Sequence, residues 1–77
     1  MRFQLLESVV LVRDLPAQGL KTGDLGAVVE VYDPDGVEVE FVTAAGRTQA
    51  LVVLVDSDLR RVEGTDLVAV RRLTRSA

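Results

Sequence analysis

The chain has 77 residues, 48% of them apolar, with nine bases against twelve acids and neither cysteine nor histidine. Those absences exclude disulfides, thiolate metal sites and the commonest general base and metal ligand. A single domain over residues 1–77 is the expected unit. At this size folding buries only about 60–65% of the surface the unfolded chain exposes, so good packing or a partner must supply the remaining stability.

In chain order, the segment Met1-Arg2-Phe3-Gln4-Leu5-Leu6-Glu7 meets an acid before any signal-peptide core forms, and no run approaches the ~18 apolar residues of a membrane span. The expected location is cytoplasmic, with no membrane partner. Residues 8–13 form a β-branched run that reads as a first strand, ended by Asp14-Leu15-Pro16, where proline lacks the amide a ladder needs. A long loop over residues 15–24 follows. Its Gly19 and Gly23, with Gly26 just beyond, place three glycines in eight residues ahead of the β-branched stretch at 27–31, the pattern of a chain bending sharply into a curved sheet.

Residues 25–32 read as the second strand, and Asp33-Pro34-Asp35-Gly36 as a type I turn with Pro34 at its second position. Val37-Glu38-Val39-Glu40-Phe41-Val42 alternates, which sends Val37, Val39 and Phe41 to a core shared with Val29 and Val31, and Glu38 and Glu40 to water. Thr43-Ala44-Ala45-Gly46 is a hairpin connection with Gly46 suited to a left-handed conformation, and residues 47–55 return antiparallel. Asp56-Ser57-Asp58-Leu59 predicts a tight 3₁₀-type turn before a short strand at 59–62. Residues 65–74 read as a sixth strand or a short helix, the strand being preferred for its valines. The fold class is therefore all-β, a small SH3-like barrel of about five antiparallel strands with an additional C-terminal strand or short helix.

Candidate chemistry fails on spacing. Asp33, Asp35, Glu38 and Glu40 lie close together, but Gly36 comes fourth where a calcium loop needs its glycine sixth, and Pro34 intrudes. Asp56 and Asp58 are better explained as acceptors for backbone amides in a turn. Gly19-Leu20-Lys21-Thr22-Gly23 lacks the glycine directly before Lys-Thr and the helix after it that a phosphate loop requires, and Asp24 repels phosphate. Gly23-Asp24-Leu25-Gly26 shares only its glycines with a KH clamp. Ser8, Ser57 and Ser76 have no histidine to activate them. The expectation is a non-enzyme with no catalytic, cofactor-binding or metal-binding residues and no cofactor.

What remains is surface. Ala50-Leu51-Val52-Val53-Leu54-Val55 is apolar on both faces, so Leu51, Val53 and Val55 need a cover that a lone five-stranded barrel does not provide. Either residues 67–73 supply it or a second molecule does, and at least a dimer is expected. Residues 1–59 carry ten acids against four bases, whereas residues 60–77 carry Arg60, Arg61, Arg71, Arg72 and Arg75 against Glu63 and Asp66. Leu51, Val53, Val55, Arg60, Arg61, Arg71 and Arg72 are the interaction candidates.

The series Leu6-Glu7-Ser8-Val9-Val10-Leu11, Asp14-Leu15-Pro16, Gly19-Leu20-Lys21-Thr22-Gly23-Asp24-Leu25-Gly26, Val28-Val29-Glu30-Val31-Tyr32, Val37-Glu38-Val39-Glu40-Phe41, Gly46-Arg47-Thr48 and Leu59-Arg60 resembles a family of short bacterial proteins known only as a domain of unknown function. The resemblance covers residues 3–62, implies an SH3-like barrel and carries no catalytic residues. A more distant likeness, through Val9, Leu11, Gly23, Gly26 and Val28, is to KOW modules, which bind RNA or RNA polymerase. The reading is a non-catalytic protein-interaction module, open to self-association, whose partner is a protein or a second copy. The alternative is a nucleic-acid-associated KOW-like module using the C-terminal arginines, against which the acidic body argues.

Overall fold

The computed structural model describes residues 3–73. It is all-β, with five antiparallel strands in one sheet: β1 (Ser8–Leu11), β2 (Leu25–Tyr32), β3 (Gly36–Val42), β4 (Thr48–Val55) and β5 (Leu59–Arg61), in the order β4-β3-β2-β1-β5. Short 3₁₀ turns at Pro16–Gln18 and Asp56–Asp58 connect β1 to β2 and β4 to β5. The first stops where Gly19 takes a φ of 71°. The sheet is open in its pairing but curls on itself, because Leu54 of β4 and Leu59 of β5, at opposite ends of the strand order, share one core with Val9, Leu11, Val28, Val37, Val39 and Phe41.

The alternation of β3 sets the inner face. Val37, Val39 and Phe41 are buried and stand opposite Leu54, Val52 and Ala50 of β4, so that strand's inward set is Ala50, Val52 and Leu54. On β2 the expectation needs correcting. The register runs Val28 against Val39 and then Glu30 against Glu38, a bulge that leaves Val29 as the extra residue. Val28 therefore takes the core position assigned to Val29, while Val31, opposite Val37, stays on the inner face at the partly exposed rim.

Two core residues come from outside the strands. Phe3 precedes β1, and Leu20 lies in the long loop, which a Leu15–Leu20 bridge pinches. The loop between β2 and β3 contains a cis Asp33–Pro34 peptide bond in place of the type I turn expected there.

Residues 65–73 form neither the additional strand nor the helix expected over residues 65–74, whose last residue lies outside the described ones, and β5 ends at Arg61 rather than at residue 62. Among the described residues, no backbone group of residues 67–73 enters a backbone hydrogen bond. The chain after β5 is tied down by side chains instead. Arg60 grips Asp66 through two bonds of 2.9 and 3.0 Å, and Arg71 grips Asp24. These anchors fix Asp66 beside β5 and Arg71 beside the start of β2, and among the described residues the segment pairs with neither edge of the sheet, β4 or β5.

Candidate functional site

The outer face of β4 carries the feature that the composition pointed to. Side chains alternate along a strand, so burying Ala50, Val52 and Leu54 turns Leu51, Val53 and Val55 outward. They are 54%, 59% and 43% exposed. In register on β3, Glu40 stands beside Leu51 and Glu38 beside Val53, and Glu30 of β2 is paired with Glu38. Like charges directly opposed on one face repel, and two hydroxyls relieve part of this: Tyr32 donates to Glu38 at 3.0 Å and Thr48 donates to Glu40. The bond to Glu38 pushes the Tyr32 hydroxyl above its ordinary pKa. The result is an apolar stripe along an unpaired edge strand, bordered by three carboxylates. Natural edges are usually guarded by charge, proline or a bulge, and residues 50–55 have no charged side chain or proline.

The candidate arginines are not gathered into one patch. Arg60 is held by Asp66, Arg61 pairs with Glu7 while lying 4.9 Å from the centre of the Phe3 ring, and Arg71 binds Asp24 at 2.8 and 2.6 Å and the Gly19 carbonyl at 2.9 Å. Arg72 lies in the wall of an open groove between residues 69–73 and the loop before β2. Arg75 lies outside the described residues.

Several carboxylates serve the backbone. Asp14 accepts from the Thr22 amide and hydroxyl, and Asp24 accepts from the Lys21 amide, so the long loop is stitched by acids on both sides. Asp58, buried in the 3₁₀ turn, accepts from Arg13 Nε at 2.6 Å and from the Val55 amide at 3.1 Å, the amide-accepting role expected of this Asp-Ser-Asp turn. The Arg13 bond holds the Asp58 carboxyl below its ordinary value of 3.8, the Arg71 bond does the same for Asp24, and the Arg60 bond takes Asp66 to about 2. Among the described residues no three His, Cys, Asp or Glu side chains gather to hold a metal ion, and no helix is long and apolar enough to cross a membrane.

The depressed carboxylates fix the sign of the acid response. A group whose folded pKa lies below its unfolded one contributes stability above the unfolded value and loses it as pH falls through the folded one. Urea melts should therefore show constant stability from neutral pH to about 5 and a decline between about 4 and 2. Asp58→Ala should cost roughly 1–3 kcal/mol at pH 7, because Arg13 and the Val55 amide lose their acceptor, and should flatten the acid decline. An unchanged acid limb in that variant would show that Asp58 does not contribute to it.

The family model described as Domain of unknown function (DUF4926) matches residues 5–61. The chain belongs to this family. The DUF4926 region begins just before β1 and ends with β5, so the five strands and the β4 stripe lie inside it and residues 62–77 outside it. No curated protein matches the chain, and no solved structure does.

Leu51, Val53 and Val55 were legible from the double-faced apolar run. Asp14 accepts from Thr22, 8 residues away, and Asp58 from the Arg13 side chain, 45 residues away, and only the local bond of Asp58 with the Val55 amide has a sequence signal.

Proposed function

We propose that this chain is a non-catalytic protein-interaction module on an SH3-like barrel and that it self-associates through the outer face of β4. The barrel type is supported by the curled five-stranded sheet, the β1–β5 pairing and the 3₁₀ turn joining β4 to β5. The observation that carries the function is the row Leu51, Val53 and Val55, exposed on an edge strand that residues 66–71, anchored at Arg60 and Asp24, leave uncovered. Apolar area on an unpaired strand edge is the surface that strand addition and apolar docking use.

A KOW-like nucleic-acid module using Arg60, Arg61, Arg71 and Arg72 draws less support. Three of those four guanidiniums already hold carboxylates, and phosphate would have to displace them against a net charge of −3.

Light scattering on the full chain should give a mass that rises from one chain toward two over the micromolar range and changes little with salt, as an apolar contact requires. Val53→Asp should return the mass to one chain with the circular dichroism spectrum preserved, because the side chain it replaces points into solvent. A wild-type mass of one chain at every concentration would sink the proposal.

A further inference from the structure

Two parts of this chain lack what the other offers. β4 ends the sheet and pairs only with β3, so one side of an eight-residue strand has no backbone partner among the described residues. Among the described residues, residues 67–73 form no backbone–backbone hydrogen bond either, and Leu67, Val68 and Val70 are 95%, 82% and 96% exposed. We infer that residues 67–73 add as a strand to the free edge of β4 in a second copy of this chain. The inference rests on the self-association proposed above and names the segment that makes it.

Three observations select this occupant. The first is length, since seven residues span the six of β4 that run regularly, 50–55, beyond the bulge at Gln49. The second is side-chain pattern. In a strand, Val68, Val70 and Arg72 share a face, which gives two aliphatic groups to lie beside Leu51, Val53 and Val55 and one cation at the end. The third is charge, because the carboxylates beyond the apolar stripe, Glu38 and Glu40 with Glu30 behind them, offer the counter-charge for Arg72. Arg72 on a strand next to β4 lies two strand spacings, ~9.6 Å, from Glu40 on β3, a gap that the long arginine and glutamate side chains close by meeting over β4.

Release of the segment breaks side-chain contacts only. It is tethered within its own chain by the two-point contacts Arg71–Asp24 and Arg60–Asp66, which water and salt reach from the arginine side and which the backbone bonds of the added strand must outweigh. Gly64, whose surroundings are open, lies between β5 and the first tether and gives the chain a place to turn. Addition in both directions makes a two-fold contact in which each copy gives one segment and receives one.

The test uses full-length variants. Val68→Pro and Ala69→Pro remove amides that point to opposite sides of the added strand, one of them toward β4, and neither residue is buried, so the spectrum of the fold should persist and the dissociation constant of one of the two variants should rise roughly tenfold or more. Hydrogen exchange on the wild type should slow with rising protein concentration at residues 67–73 and at residues 50–55 together. If Val53→Asp dissolves the dimer but both proline variants keep it, self-association through β4 stands and the strand addition is overturned. Concentration-dependent protection at residues 50–55 alone overturns the strand addition as well, and points to β4 pairing with β4. A wild type that is one chain throughout overturns both.

Discussion

Phe41→Ala should lower the stability of the fold by about 3–5 kcal/mol, which for a domain of this size is enough to leave it largely unfolded at 37 °C. Phe41 is buried, sits opposite the small Ala50 on β4, and its ring reaches the space over Gly26 on β2. It therefore fills volume between three strands, and none of its small neighbours can expand into the cavity left behind. The adjacent Val42 is the internal control. Its side chain faces solvent, and Val42→Ala should shift stability by less than about 0.5 kcal/mol. Thermal unfolding of the two variants side by side distinguishes them. Equal midpoints would mean that Phe41 does not anchor the core.

The contrast between Phe41 and Val42 is readable in the sequence itself, because β3 alternates without interruption and one face of a strand must be dry. The same logic locates β2 and β3 and shows that β4 has one apolar face too many. It fails where the period breaks. At the β2 bulge, one unpaired residue moves the core position from Val29 to Val28, and nothing in a row of valines marks which of them is extra. Phe3 and Leu20 give no periodic signal because each is a lone apolar residue outside a strand. Burial of Leu20 depends on the Leu15–Leu20 bridge and on carboxylates that tie down the loop around it. Residues 67–73 look like a strand in composition, yet a strand exists only where an edge receives it, and among the described residues this segment, tethered at Asp24 and Asp66, pairs with no edge of its own sheet.

The distribution of charge follows the same division. Arg60, Arg61 and Arg71 look in sequence like a basic tail on an acidic body, a pattern that suggests a distant anionic partner. In the fold Arg61 and Arg71 meet acids of the body, Glu7 ahead of β1 and Asp24 at the start of β2, while Arg60 meets Asp66 of its own C-terminal segment. The C-terminal segment is thus complementary in charge to the sheet of its own chain at Glu7 and Asp24, and the strand addition proposed above would use the acids this leaves. Glu30, Glu38 and Glu40, crowded on the outer face with two hydroxyls between them, are the acids left for that role.

Gly26→Ala should destabilise the fold by about 1–3 kcal/mol through crowding, and Gly23→Ala by roughly 1 kcal/mol through backbone geometry. The two glycines flank the entry to β2 but are required for different reasons. Gly23 has a φ of 96°, a conformation L residues rarely adopt, with nothing within 4 Å of the place a Cβ would take. Gly26 has no such φ, but a Cβ there would lie 2.6 Å from Val39 Cγ1, 2.9 Å from Phe41 Cε1 and 3.1 Å from the Glu40 carbonyl. β3 crosses so closely that only a hydrogen atom fits. Val39 and Phe41 are both buried, and the Glu40 oxygen belongs to the sheet, so none of the three can move aside freely. The mechanisms separate in a double mutant. Val39→Ala removes the nearest of the offending atoms, so Gly26→Ala combined with Val39→Ala should cost less than the two changes summed, whereas Gly23→Ala with Val39→Ala should be additive within about 0.5 kcal/mol. Urea unfolding of the five variants supplies both cycles, and additivity in the Gly26 cycle would show that the approach of β3 is not what excludes a side chain there.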